Sequence, residues 1–256
     1  MNTMNTPALE TRGLYKSFGA LTVANAVDFR LERGARHALI GPNGAGKTTF
    51  VELVTGALRP NAGQIRLDGA DVTHLGQAVR VKRGLVRTFQ ITALFPRLSI
   101  LENVTLAVCE RQGIASDLCR PAGHHRAAIE EAHALLERLG LDDEALRPVY
   151  MLAYGRQRLV EIAVSLALSP KVLLLDEPAA GVPSGESGTI IEAIERLPPE
   201  IALLIIEHDM DLVFRVAQRI TVLVQGSVLV EGSPEAIAAD PEVRRVYLGE
   251  RVPVGL

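Results

Sequence analysis

The sequence predicts an α/β fold with a largely parallel sheet, interrupted by a helical insert. Three observations predict it. A short apolar run, Arg36–Ile40, leads into a glycine-rich loop and then a helical pattern. Two more apolar runs of strand length, Val172–Leu175 and Ile201–Ile206, alternate with helical segments. Between these halves, from Ile91 to Ser169, helical spacing dominates.

The chain has 256 residues, enough for one large α/β domain. Hydrophobic residues make up 48% and charged residues 22%, which suits a globular protein with a buried core. The net charge of −3 gives no reason to expect a nucleic-acid partner. Cys109 and Cys119 are too few for a disulfide framework and suit a reducing compartment. Residues Met1 to Glu10 lack the basic start and apolar stretch of a signal peptide. No apolar run approaches the ~20 residues that span a bilayer, so work at a membrane requires a partner that crosses it.

The elements follow in order. The first ninety residues read as strands and turns around one helix. That helix begins at Lys47, runs to Thr55 and stops at Gly56. Gly63–Gly69 alternates Ile65 and Leu67 with polar residues, as a half-buried strand does. In the insert, Ile129, Leu135, Leu136 and Leu139 share one helix face, and Gly140 ends that helix. Residues 112–125 read as a loop. Ile220–Val224 and Val228–Val230 form a hairpin around Gly226 and Ser227.

Gly41-Pro42-Asn43-Gly44-Ala45-Gly46-Lys47-Thr48 carries the first chemistry. It matches the phosphate-binding pattern G-x-x-x-x-G-K-[ST], preceded by a strand and followed by a helix. A triphosphate packs several negative charges into a small volume. Glycines let backbone N–H groups converge on it, and the following helix adds its positive end. Lys47 can reach the β- and γ-phosphates, and the Thr48 hydroxyl can ligate Mg²⁺. Thr49, next on the helix, joins the expected nucleotide contacts.

Strand Val172–Leu175 ends in Asp176 and Glu177. Beside a phosphate loop, a hard carboxylate at a neighbouring strand end suits Mg²⁺, and Asp176 is the candidate. Glu177 can face the γ-phosphate and polarise the attacking water. Asp176 and Thr48 are therefore the metal candidates, and Glu177 and Lys47 the catalytic ones.

With these in place, the sequence resembles the ABC transporter ATPase family along nearly its whole length. Six elements stand in the family's order. Phe18, in Tyr15-Lys-Ser-Phe-Gly19, matches an aromatic that stacks on adenine. The phosphate loop follows. Gln90, in Val86-Arg-Thr-Phe-Gln90, matches a glutamine that contacts Mg²⁺ and the water and opens the helical subdomain. Leu152-Ala-Tyr-Gly-Arg-Gln157 occupies the signature position, with Tyr154 and Gly155 its expected nucleotide contacts. Asp176-Glu177-Pro178 comes next, and His208 matches the switch histidine that senses the γ-phosphate.

The resemblance implies a P-loop NTPase (RecA-like) core with an N-terminal antiparallel β subdomain, residues 1–90 and 160–256, and a signature-bearing helical subdomain, residues 91–159. It implies ATP and Mg²⁺, and a second ATPase subunit whose signature helix covers the open face of the nucleotide. It also implies transmembrane permeases and a peripheral place on the cytoplasmic face of the cell membrane. The signature helix begins near Gly155, with Leu159, Val160, Ile162, Ala163, Leu166 and Ala167 as its apolar positions.

Two departures matter. The signature reads Ala153 for the usual serine, Tyr154 for a glycine and Arg156 for the glutamine. One lost charge-assisted hydrogen bond is worth roughly 1.5–3 kcal/mol. Pro183 stands where an aspartate is usual. A module that holds ATP without hydrolysing it is one alternative these departures suggest, and Glu177 opposes it. A soluble ABC ATPase acting on nucleic acid or ribosomes is another, opposed by the single cassette. A GTPase or small-molecule kinase shares only the phosphate loop, and no Asn-Lys-x-Asp guanine motif accompanies it.

Within the family, Tyr154, Asp176-Glu-Pro-Ala-Ala-Gly181, Ile206-Glu-His-Asp-Met210 and Val246-Tyr-Leu-Gly-Glu250 together look like the branched-chain amino acid (LIV-type) importer branch. That branch implies an extracytoplasmic binding protein as an indirect partner. Importers of urea or amides and some lipid exporters share the pattern. Residues from about Thr92 to Glu102 are expected to meet the permease.

Overall fold

The computed structural model describes residues 6–88, 94–114 and 125–248. The chain opens with a hairpin, β1 (Leu9–Phe18) and β2 (Leu21–Leu31), then β3 (Arg36–Ile40) and α1 (Lys47–Thr55). β4 (Ala62–Leu67), β5 (Ala70–Asp71), α2 (Gln77–Lys82) and β6 (Leu85–Arg87) follow. The insert holds α3 (Ile100–Gln112), α4 (Arg126–Arg138) and α5 (Tyr154–Ala167). The chain then returns through β7 (Val172–Asp176), α6 (Ser184–Glu195), β8 (Ala202–Ile206), α7 (Met210–Val216), β9 (Arg219–Val224), β10 (Ser227–Gly232) and α8 (Pro234–Ala239).

Two sheets result. The antiparallel one has the order β2-β1-β4-β5, and the second β10-β9-β3-β8-β7-β6. In the second sheet every pairing is parallel except that of β9 with β10. The apolar runs Val172–Leu175 of β7 and Ala202–Ile206 of β8 follow from this, because both faces of a central parallel strand are covered. The period of two sorts their side chains. Leu173, Leu175, Leu203 and Ile205 join the core under the helical insert. Val172, Leu174, Leu204 and Ile206 join the core between the two sheets, where α1 lies. α1 is therefore apolar on most sides, with Phe50, Val51, Leu53 and Val54 fully buried.

Arg80, on α2, closes the far end of α1. Its guanidinium is fully buried and donates to the carbonyls of Leu53 (2.7 Å), Val54 (2.5 Å), Thr73 (3.0 Å) and Leu75 (2.9 Å). Burial pulls its pKa down to about 10, the Asp71 charge opposing. The last carbonyls of a helix need partners, and this side chain supplies them.

Four expectations change. α2 is a second helix within the first ninety residues. The face of α4 that faces inward is lined by Ala128, Ala132 and Leu136, while Ile129, Leu135 and Leu139 are only half-buried. Small side chains let α4 come close to α3, so the buried stripe is set by fit rather than by the largest apolar residues. The β9–β10 turn is formed by Gln225 and Gly226, both at positive φ (48° and 78°), one residue before the expected pair. α5 begins at Tyr154 and runs unbroken across residue 160. Cys109 is buried and unpaired, and burial raises its thiol pKa; Cys119 and part of the 112–125 loop lie outside the described residues.

Candidate active site

The site lies where β3, β7 and β8 end. Adjacent parallel strands deliver the phosphate loop, the Asp176–Glu177 pair and His208 to one edge of the sheet. That edge is where α/β sheets bind ligands.

Residues 41–46 link β3 to α1. Gly46, at the N-cap, has φ 100°, a conformation L side chains rarely adopt. A Cβ there would run into the Val23 carbonyl of β2. The loop is tied to the β9–β10 turn as well, since the Gly226 N–H donates to the Ala45 carbonyl at 2.8 Å. No side chain caps α1, so its first N–H groups stay open to an anion. Asn43, Gly44 and Thr48 are exposed, Pro42 and Thr49 half-buried, and Gly41 and Ala45 buried.

Lys47 turns back onto its own loop. Its ammonium donates to the carbonyls of Gly41 (2.5 Å) and Pro42 (3.1 Å). Burial lowers its pKa, and the negative charges of Glu177 and Asp176 work the other way. The three groups are thus electrostatic neighbours. A phosphate tail would offer the ammonium a stronger acceptor than two neutral carbonyls.

The Asp176 side chain is only 8% exposed and is paired with Arg87 of β6 at 2.5 Å. A carboxylate so placed, with the exposed Thr48 hydroxyl at the start of α1, suits Mg²⁺, which takes one or two hard protein oxygens and draws the rest from phosphate and water. Among the described residues no group of three or more His, Cys, Asp or Glu gathers that could hold a metal without a nucleotide. Gln90, the third metal candidate, lies outside the described residues.

Glu177 has φ 47°, uncommon for a residue with a side chain. Its N–H donates to the Ile206 carbonyl at 2.9 Å, pinning it to the end of β8. His208 Nδ1 lies 3.8 Å from Glu177 Oε1 and 3.6 Å from Glu207 Oε2. The His208 side chain remains 64% exposed.

Phe18 ends β1 and is 53% exposed. The Lys16 ammonium lies 5.0 Å from its ring centroid. Phe18 pairs with Leu21, two residues before the Val23 that packs on Gly46, so the aromatic stands beside the loop.

The signature position has its own geometry. Ala153 is the N-cap of α5 and offers no side-chain cap, which leaves the first-turn N–H groups free. The Tyr154 ring packs against Gly181 and lies 5.1 Å from the Arg158 guanidinium. Gly155 sits against the Glu186 carboxylate of α6, which would have to swing aside to admit a Cβ. Arg156 is paired with Glu144 at 2.7 Å. Pro183 is the N-cap of α6 and also lacks a side-chain cap.

Two residues at the site escaped the sequence reading. Arg87 lies inside the segment that ends in Gln90, but only the fold sets it beside Asp176. Glu207 was visible only as a neighbour of His208, and nothing in its spacing announces that it is buried.

A two-sheet α/β domain with a glycine loop, a paired Asp-Glu strand end and a helical insert defines an ATP-binding cassette. The family described as "ABC transporter" matches residues 24–180, and the one described as "Branched-chain amino acid ATP-binding cassette transporter" matches residues 227–253. The chain belongs to the ABC transporter family of ATP-binding proteins and is an ATPase subunit that binds nucleotide. It is 39% identical over 254 residues to the high-affinity branched-chain amino acid transport ATP-binding protein BraF of Pseudomonas aeruginosa, covering 96% of this chain and 100% of the relative. It is 40% identical over 254 residues, with the same coverage, to LivG of Escherichia coli, which carries the same description. A nucleotide-free ATP-binding cassette from an ABC transporter superposes with TM-score 0.82 at 30% identity, covering 95% of this chain and 100% of the other. An ABC cassette in its ADP conformation gives 0.84 at 29%, covering 95% and 99%. Among the described residues no helix is long and apolar enough to cross a membrane.

Proposed function

We propose that this chain powers import of branched-chain amino acids as one of two ATPase subunits on the cytoplasmic face of the membrane, joined to transmembrane permeases and served by an extracytoplasmic binding protein. The full-length similarity to BraF and LivG supports the substrate class. The convergence of Lys47, Asp176, Glu177 and His208 at one sheet edge supports the chemistry.

Each residue has a part. Phe18 offers a face for the adenine. The N–H groups of Gly41–Thr48 and the start of α1 cradle the phosphates, with Thr49 beside them, and Lys47 leaves its loop carbonyls for the β- and γ-oxygens. Thr48, Asp176 and Gln90 would hold Mg²⁺, which would supply positive charge against the phosphates. Glu177 orients a water and takes its proton as oxygen attacks the γ-phosphorus and the bond to the bridging oxygen breaks. His208 donates to the γ-phosphate side. Tyr154 and Gly155, at the open N-terminus of α5, cover the nucleotide held by the second subunit. The proposed division into 1–90 with 160–256, and 91–159, sets its second boundary inside α5, which runs unbroken from Tyr154 to Ala167.

Phe95 is 58% exposed and Arg97 is exposed beside it, a surface for a cytoplasmic loop of the permease. Glu102 is less suited to that contact. Its carboxylate accepts from the Ser99 N–H at 2.7 Å and closes a capping box at the start of α3, which also holds its pKa down. Reversing its charge would unfold the cap as well as alter the surface.

The test is uptake of labelled leucine by vesicles holding the full complex. ATP-driven uptake that Arg97→Glu abolishes while phosphate release persists is the expected result. Uptake unaffected by Arg97→Glu would misplace the contact, and no leucine uptake with robust hydrolysis would reassign the substrate.

A further inference from the structure

We infer that Glu207 is a positioning residue for ATP hydrolysis, its buried carboxylate locking the turn that carries Glu177 and the turn that carries His208 into one unit. The inference rests on the proposed roles of Glu177 and His208.

Glu207 follows β8 and is 1% exposed. Taking a carboxylate out of water is costly unless strong donors replace the water. Here the donors are backbone N–H groups from two separate turns. Oε2 accepts from His208 at 2.8 Å and from Asp209 at 3.1 Å. Oε1 accepts from Ala179 at 3.2 Å, 28 residues away in sequence. Oε2 also lies 3.6 Å from His208 Nδ1.

Local capping does not explain the residue. The start of α7 is already capped by Asp209, whose Oδ1 accepts from Asp211 and Leu212. What Glu207 adds is the tie to Ala179, two residues beyond Glu177. The Glu177 N–H bond to the Ile206 carbonyl fastens the same two turns a second time. With both ties, His208 and Glu177 keep one mutual geometry. A serine or threonine hydroxyl is too short to reach both turns, while Glu207 has two oxygens and the length to span them. Beyond Ala179 the turn reaches Gly181, against which the Tyr154 ring packs.

The test uses the full chain for exchange and the assembled complex for kinetics. Glu207→Gln keeps the size and one acceptor but sets an amide NH₂ against a backbone N–H. It is expected to lower kcat about 10-fold or more with KM for ATP within about 3-fold, because the phosphate loop is untouched. The amides of Ala179 and His208 should exchange about 10-fold faster, and together, as each loses a charge-assisted bond. In the His208→Ala background Glu207→Gln should cost little more, since its effect passes through His208. Glu207→Asp, which keeps the charge but falls short of Ala179, serves if the glutamine variant fails to fold, with the same split of kcat from KM expected. Wild-type kcat in these variants, an unmoved Ala179 amide, or fully multiplicative losses in the double variant would each overturn the inference while leaving the site intact. Wild-type rates in Glu177→Gln and His208→Ala would instead bring down the reading of the site, and the inference with it.

Discussion

Arg87→Gln isolates the electrostatics of the metal-facing carboxylate. In the structure Arg87 is the counter-ion of Asp176, with the two side chains 20% and 8% exposed and 2.5 Å apart. Two unit charges about 4 Å apart at an effective dielectric of about 20 attract by about 4 kcal/mol. Removing one partner of a buried pair costs about 3–5 kcal/mol, because the other charge stays buried. Lys47 lies close enough to Asp176 to offset part of that, so the expected loss without nucleotide is about 2–3 kcal/mol. In a domain of this size each kcal/mol moves Tm by about 2–4 °C, giving a fall of about 4–12 °C. A divalent cation arriving with nucleotide supplies the missing positive charge. The deficit should then shrink to about 1 kcal/mol, which by linkage means MgADP binds the variant about 5- to 30-fold more tightly than wild type. The assay is thermal unfolding of both proteins with no nucleotide, with ADP in a chelator, and with MgADP. A deficit of equal size in all three would refute the reasoning, since Arg87 would then serve the fold alone.

Other perturbations follow from the same contacts. Gly46→Ala places a Cβ against the Val23 carbonyl at φ 100°; it should cost about 1–3 kcal/mol of stability and most MgATP binding, read by denaturant unfolding and titration. Arg80→Met strands four carbonyls around α1 and should cost about 3 kcal/mol or more, with unfolding as the measure. His37, hydrogen-bonded to Thr221 at 2.8 Å, has its pKa lowered from 6.5 to about 4 by burial, with Glu231 opposing. The unfolded chain protonates this histidine before the folded one does. Stability should therefore be complete above about pH 6.5 and fall by about 3 kcal/mol as pH drops toward 4, a slope that His37→Gln flattens.

The sequence made legible whatever depends on local order. Glycines before Lys47 and the apolar runs of β3, β7 and β8 need no tertiary knowledge, because backbone freedom and two-face burial leave direct marks in composition. The helix boundaries at Lys47, Gly56 and Gly140 were legible for the same reason. Pairings between distant segments were not. Arg87 meets Asp176 only because β6 is hydrogen-bonded beside β7. Glu207 meets Ala179 only because β7 and β8 end side by side. On α4, Leu136 is buried and Leu135 and Leu139 pack beside it as their spacing implies, but the burial of Ala128 and Ala132 is a matter of close fit that hydrophobicity does not encode. The N-terminus of α5 came out one residue earlier than Gly155, since Tyr154 is compatible with a first helical turn and Ala153 leaves no cap to mark the start.

The most direct measurement is phosphate release and retained nucleotide in the assembled complex, for wild type and Glu177→Gln at saturating MgATP. The variant should keep MgATP bound at this chain while the rate attributable to it falls about 10²-fold or more, the scale of a lost general base. Release at the wild-type rate, or no nucleotide held on residues 41–48, would contradict this expectation.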